Sequence, residues 1–223
     1  MKIEDIFNNI DKDLDNIQYN EDYTEKTKEE WHQQRLGKLT ASRFEDLMVR
    51  DKSGKKPGQA AMKYVYEKVA ELLTNQPHIV TSQATDWGNQ MEAFAIAKYT
   101  EQTKNTVTPG GFFEFSDMAG GTPDGLVDGD GIVEVKCPYN PANHVETVLT
   151  NEVPTKYIYQ IQGNLMVTGR KWCDYISYDP RVQEESLQLF IKRVYRDEEI
   201  ISEIRERIEE LSQLVKELYE KLK

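Results

Sequence analysis

The sequence predicts an α/β fold in one domain, a mixed central sheet flanked by helices with a long amphipathic helix at the C-terminus. Three observations carry this. Stretches with helical spacing of apolar residues alternate along the chain with short stretches of strand character, an order that suits a layered α/β arrangement better than a bundle or a sandwich. The 223 residues contain no internal repeat, no Pro/Gly/Ser-rich linker and no low-complexity tract, and a chain of that length can bury a substantial core as one unit, residues 1–223. Finally, Ile201, Ile204, Ile208, Leu211, Val215, Leu218 and Leu222 step by alternate threes and fours. That is a heptad seam, read first as a helix closing over its own domain and second as an intersubunit contact.

The elements follow in order. Residues 31–42, WHQQRLGKLTAS, open a basic block and end in a helix-start pattern. Thr40 or Ser42 is placed to cap a helix carrying Phe44, Leu47 and Met48, and Glu45 completes a capping box with Ser42. A hydroxyl at a helix N-terminus also cradles an anion, and Arg35 is able to grip the same anion bidentately. The plainer reading is a capped helix beside an exposed arginine. The loop from Ser53 to Gly58 carries Lys55 and Lys56 without the Walker A spacing, so it gives no nucleotide site and at most a contact to a DNA backbone.

Met62, Val65, Tyr66, Val69, Leu72 and Leu73 have helical spacing, with Lys63 and Lys68 expected outside. A second helix over residues 87–99 puts Trp87, Met91, Phe94 and Ala95 on one stripe and Glu92 at its border, either an ordinary helix glutamate or a third acid entering a site. Residues 157–167 read as a helix with Ile158, Ile161, Leu165 and Met166 inside and Gln162 close to that side. Residues 173–178 and 189–195 read as strands joined through a turn at Asp179-Pro180-Arg181.

The chemistry concentrates between Thr122 and Lys136. Ile132, Val133 and Val135 mark residues 131–136 as a strand, and period-two alternation sets Glu134 and Lys136 on one face. Asp124 follows a proline with fixed φ in GGTPDG, a turn able to hold its carboxylate opposite Glu134. Two carboxylates and an ammonium in this relation suit metal-dependent phosphodiester hydrolysis. Mg²⁺ takes a few oxygen ligands and keeps waters, and Asp124, Glu134 and the Val135 carbonyl would supply them. Lys136 would orient the attacking water and offset charge building on the phosphorane oxygens. The plainer reading is a surface hairpin with Glu134 and Lys136 as an ordinary exposed pair.

Net charge is −11, unevenly spread. Residues 31–72 carry nine Lys/Arg against five Asp/Glu, whereas residues 1–30 have a net of −6 and residues 197–223 a net of −4. A local basic surface between acidic termini remains compatible with DNA. Two cysteines, Cys137 and Cys173, have no CxxC spacing and read as reduced structural thiols, while the three histidines show no paired-ligand pattern. No export signal or bilayer-length apolar run is seen, so a soluble, cytoplasmic protein without a membrane partner is expected.

Five motifs in order, WHQQRLGKLTAS, WGNQMEAFA, TPDGL, VEVKCP and YIYQIQGNLMVTG, resemble the lambda-exonuclease-like phage recombination family of the PD-(D/E)xK nuclease superfamily over about residues 31–196. The resemblance implies a restriction-endonuclease-like core with Asp124 and Glu134 as metal ligands, Lys136 assisting the nucleophile and Glu92 as a further acid. It implies Arg35, Ser42 and Gln162 around a terminal phosphate, and Mg²⁺, replaceable by Mn²⁺, as two ions per site. It further implies 5′-to-3′ digestion of double-stranded DNA from its ends, a ring-shaped homotrimer, and a phage single-strand annealing protein as partner. The alternatives are an endonuclease of the same fold, of resolvase or restriction type, and a non-catalytic DNA-end-binding protein.

Overall fold

The computed structural model describes residues 25–79 and 81–223, so all but the last few residues of the acidic segment 1–30 lie outside the described residues. The elements are α1 (Glu25–Arg35), β1 (Leu39–Thr40), a 3-10 turn (Ala41–Arg43), α2 (Phe44–Met48), α3 (Gln59–Thr74) and α4 (Gln83–Thr103). Five strands follow, β2 (Val107–Pro109), β3 (Phe113–Ser116), β4 (Ala119–Gly121), β5 (Gly125–Val127) and β6 (Gly131–Lys136). Then come α5 (Pro141–Thr150), α6 (Ile158–Thr168), β7 (Trp172–Tyr178), β8 (Leu189–Tyr195) and α7 (Glu198–Leu222).

The expected mixed sheet is present, with strand order β2-β5-β6-β7-β8. Only β6 and β7 run parallel, with Glu134 opposite Tyr175 and Lys136 opposite Ser177; the other neighbours are antiparallel. A parallel pair needs a crossover connection, and α5 and α6 supply it. A smaller sheet, β1-β4-β3, lies beside it. Both faces of β6 are covered: Val133 and Val135 pack with Trp87, Met91, Ala95 and Tyr99 of α4, and Ile132 packs with Ile161 and Leu165 of α6. Every residue of β6 except Lys136 is buried, which removes the exposed-hairpin reading of this strand.

Several local expectations change. The capping box does not form: α2 begins after Arg43 with no side-chain cap, and Thr40 caps no backbone amide. The Thr40 hydroxyl is engaged by Tyr64 and Ser42 instead. On α3, Lys63 is exposed as expected, but Lys68 is buried and donates to both oxygens of Glu71, 2.8 and 2.9 Å. A buried lysine is tolerable because it is paired, and the partner three residues on gives no apolar signal in the sequence. Tyr66 and Leu73, expected in the core, are exposed.

The heptad seam is used inside the chain. Ile201, Ile204, Ile208, Leu211 and Val215 are buried against Phe44, Leu47, Val65 and Val69, so this part of the seam closes its own domain, while Leu222 at its end is exposed. Asp197 caps α7, accepting from the amides of Glu199 and Ile200. Arg207, wholly buried, donates to the Leu47 carbonyl at 2.7 Å and pairs with Glu210, fixing α7 to the end of α2. Both cysteines are free and buried, and burial pushes both thiols above their usual range, with nearby acids adding to it.

Candidate active site

Asp124 stands in the link between β4 and β5. Its Oδ2 accepts the backbone amide of Val135 at 2.6 Å, and the β5–β6 register pairs Gly125 with Val133. One hydrogen bond thus fastens the turn to the strand and sets the Asp124 carboxylate beside Glu134. Glu134 is fully buried. Its Oε1 accepts from Lys136 Nζ at 2.6 Å and from Gln160, and its Oε2 accepts from Asn164 at 3.0 Å. Lys136 also reaches Gln160 Oε1 at 3.2 Å and lies 5.0 Å from the centre of the Tyr157 ring.

Gln160 and Asn164 are four apart on α6 and therefore share a face, the face turned to Glu134. That close approach depends on Gly121, where a Cβ would come within 2.5 Å of Asn164 Oδ1. Glu92, half-buried on α4, completes the acidic group. Burial, and then the charge of Glu134, raises its carboxyl above the ordinary range, with Lys136 opposing. Asp124 is raised further, by burial and then by Glu134 and Glu92. Burial disfavours the Lys136 ammonium, yet Glu134 and Asp124 outweigh it and raise its pKa. Three acids therefore crowd one ammonium in a poorly hydrated place, where the ionised forms of Asp124 and Glu92 are disfavoured and the ammonium of Lys136 is favoured.

Such a donor set suits a hard cation: all oxygen, negatively charged, and destabilised until a positive charge arrives. Among the described residues no three His, Cys, Asp or Glu side chains gather closely enough to cage a metal. An ion such as Mg²⁺ binds through only one or two carboxylates and keeps its waters, a demand that Asp124 and Glu134 could meet.

The structure brings together Asp124, Glu134, Lys136 and Glu92. It separately gathers Arg35 and Ser42. The Arg35 guanidinium stacks on Trp31 at 3.9 Å and reaches the hydroxyls of Thr40 and Ser42 at 3.4 and 3.5 Å. Burial lowers its pKa, and Tyr64 and Glu71 partly restore it. Trp31 also donates to Thr122 Oγ1 at 3.3 Å, tying this group to the turn that holds Asp124. Lys55 and Lys56 are exposed, and both of their backbone amides donate to Asp51, which braces the loop.

Gln162 is placed elsewhere. It is buried, donates to the Tyr195 carbonyl and accepts from the Asp197 amide, joining β8 to α7. Two residues along a helix is a turn of about 200°, so when Gln160 faces Glu134, Gln162 faces away. Sequence reasoning missed Gln160 and Asn164, whose four-residue spacing was the available signal, and also Tyr157 and Trp31 as neighbours of the two clusters.

Residues 30–171 match the family model of the YqaJ-like viral recombinase domain. An alkaline exonuclease from Laribacter hongkongensis is 35% identical, with 87% of this chain and 95% of that one aligned and a TM-score of 0.79; the crystal structure of its complex with dAMP matches equally. A phage related exonuclease from Haemophilus somnus 129PT shares the fold at 16% identity, TM-score 0.71, over 83% of this chain and 96% of that one. No functionally curated protein matches at a significant level. With the family model spanning well over half its length and a relative of this identity aligned almost end to end, the chain belongs to the YqaJ-like viral recombinase family.

Proposed function

We propose that the protein is a Mg²⁺-dependent exonuclease that degrades one strand of double-stranded DNA from its end, 5′ to 3′, and leaves 3′ overhangs for strand annealing in phage-type recombination. The observation that carries this reading is the burial of Glu134 beside Asp124 and Glu92, with Lys136 as the adjoining cation. A fold has no use for three mutually repelling acids, whereas a phosphodiesterase has. The 35% identity to an alkaline exonuclease, and the complex of that enzyme with a mononucleotide, dAMP, support the same reaction.

Asp124 and Glu134, with the Val135 carbonyl, would hold Mg²⁺ or Mn²⁺, two ions per site when substrate is bound. The bound ion supplies a water of lowered pKa and neutralises phosphate charge. Lys136, held by Glu134 and Gln160, orients the attacking water and stabilises negative charge on the non-bridging oxygens. Gln160 and Asn164 fix the Glu134 carboxylate so that it does not reorganise during the reaction. Arg35 and Ser42 hold the terminal 5′-phosphate; Gln162, committed to β8 and α7, takes no part in that pocket. Lys55 and Lys56 touch the duplex backbone.

A ring-shaped homotrimer around the DNA, and a phage single-strand annealing protein receiving the overhang, complete the proposal. Because the α7 seam from Ile201 to Val215 is buried in its own domain, contacts between copies would use other surfaces. Among the described residues no helix is long and apolar enough to cross a membrane.

If Arg35 reads the end, wild-type protein should digest a 5′-phosphorylated duplex faster than a 5′-hydroxyl one, and Arg35→Ala should reduce that preference by about tenfold or more, the scale of a lost charge-assisted hydrogen bond. Equal initial rates on the two ends in wild type would remove the pocket from the proposal.

A further inference from the structure

Glu71 takes no part in the chemistry described so far, yet it is 4% exposed and fully engaged. Its Oε2 accepts the Gly37 amide at 2.8 Å and its Oε1 the His78 amide at 3.1 Å, while Lys68 donates to both oxygens. Gly37 belongs to the turn that follows Arg35: the Lys38 amide donates to the Arg35 carbonyl at 3.0 Å, Gly37 has φ +71°, and Leu72 lies so close beneath it that a Cβ would meet Leu72 Cδ2 at 2.5 Å. Tyr64 OH then receives the Thr40 amide at 2.9 Å and contacts the Thr40 hydroxyl at 3.2 Å. Residues 64, 68, 71 and 72 share one face of α3, and that face is laid against the turn connecting Arg35 to Ser42.

We propose that Glu71 is a positioning residue for end recognition: by holding Gly37 it fixes the turn whose two ends, Arg35 and Ser42, must converge on a terminal phosphate. The inference rests on the proposed phosphate pocket. The residue types follow from the task. The Gly37 and His78 amides reach different oxygens of Glu71, one of which a glutamine would replace with an N–H donor, and Lys68 pairs with that carboxylate in its buried place. The same negative charge also faces Arg35, where it offsets part of the cost of burying the guanidinium.

The test compares KM and kcat of the full-length protein on linear duplexes carrying 5′-phosphate or 5′-hydroxyl ends. Because Glu71→Gln strands the Lys68 ammonium, the double variant Glu71→Gln/Lys68→Met is measured beside it, and Tyr64→Phe provides an independent lesion on the same helix face. The expected result is a phosphate-over-hydroxyl preference reduced about tenfold in the double variant, through KM on phosphorylated ends, with hydroxyl-end turnover retained. Tyr64→Phe should show a smaller change of the same sign. A folded double variant with wild-type preference, or Tyr64→Phe with no change in preference, overturns the role. Absence of any preference in wild type, with Arg35→Ala equally indifferent, overturns the pocket itself and this proposal with it.

Discussion

Asp124→Asn should reduce nucleotide release from linear duplex DNA by at least about a hundredfold, the scale expected when metal-assisted water activation and charge neutralisation are lost, while leaving the protein folded and more stable. The fold survives because asparagine keeps an oxygen for the Val135 amide, the bond that fastens the turn to β6. Stability rises for a reason of sign. The folded-state pKa of Asp124 is raised above its unfolded value by burial and by Glu134 and Glu92. The native state therefore binds the proton more tightly than the unfolded chain, and stability falls as pH climbs from the unfolded pKa to the raised one. Removing the charge removes that penalty at neutral and alkaline pH. By the same directions, Glu92 and Asp124 protonate at higher pH than ordinary carboxylates, so cation affinity and activity should fall on acidification earlier than an exposed Asp/Glu site would. Thermal melts with and without Mg²⁺ give a readout independent of turnover. Mg²⁺ should raise the Tm of wild type and not that of Asp124→Asn. An active Asp124→Asn, or equal Mg²⁺ shifts in both, would sink the assigned ligand set.

Ile208→Asp should prevent folding, whereas Leu222→Asp should be nearly silent. Both positions belong to the same heptad seam, but Ile208 is 3% exposed within the core made by α2, α3 and α7, and Leu222 is 65% exposed. Truncating a buried isoleucine costs about 2–5 kcal/mol, and placing a carboxyl there adds the cost of an unpaired buried polar group. Together these approach the total stability of about 5–15 kcal/mol typical of a domain. An exposed substitution changes stability by about 0.5 kcal/mol or less. Circular dichroism melts and size-exclusion profiles distinguish the cases. A cooperatively folded Ile208→Asp protein that had merely changed its association state would show that the seam binds another copy.

What the sequence made legible followed from periodicity. The strand at 131–136, the helices around residues 65, 91 and 161, and the paired strands before and after Asp179-Pro180-Arg181 were readable because apolar spacing reports directly on which face is buried. Asp124, Glu134 and Lys136 were readable because they lie close in the chain and the period of a strand is two. Glu92 was harder, since nothing in a helix border position says which neighbour it meets; its place beside Glu134 depends on how α4 crosses the sheet. Gln160 escaped notice beside Gln162 because both flank the apolar stripe of α6, and only the packing of α6 on β6 decides which one faces Glu134. The helix start at residues 40–45 was misjudged because Thr40 and Ser42 have tertiary partners, Tyr64 and Arg35, that compete with capping. Buried Lys68 and Glu71 escaped for a related reason: the amides of Gly37 and His78 are invisible to any pattern of side chains. In each case the missing information was a contact between residues distant in sequence.

The most direct test of the central claim is to incubate wild-type protein with matched linear and covalently closed circular duplex DNA, with Mg²⁺ or with EDTA, and to follow acid-soluble nucleotides. The site and the family together predict mononucleotide release from linear duplex with Mg²⁺ alone, no reaction in EDTA, and closed circles left intact. Linearisation or nicking of the closed circles at a comparable rate would assign the site to an endonuclease, and release that is undiminished in EDTA would contradict the role given to Asp124 and Glu134.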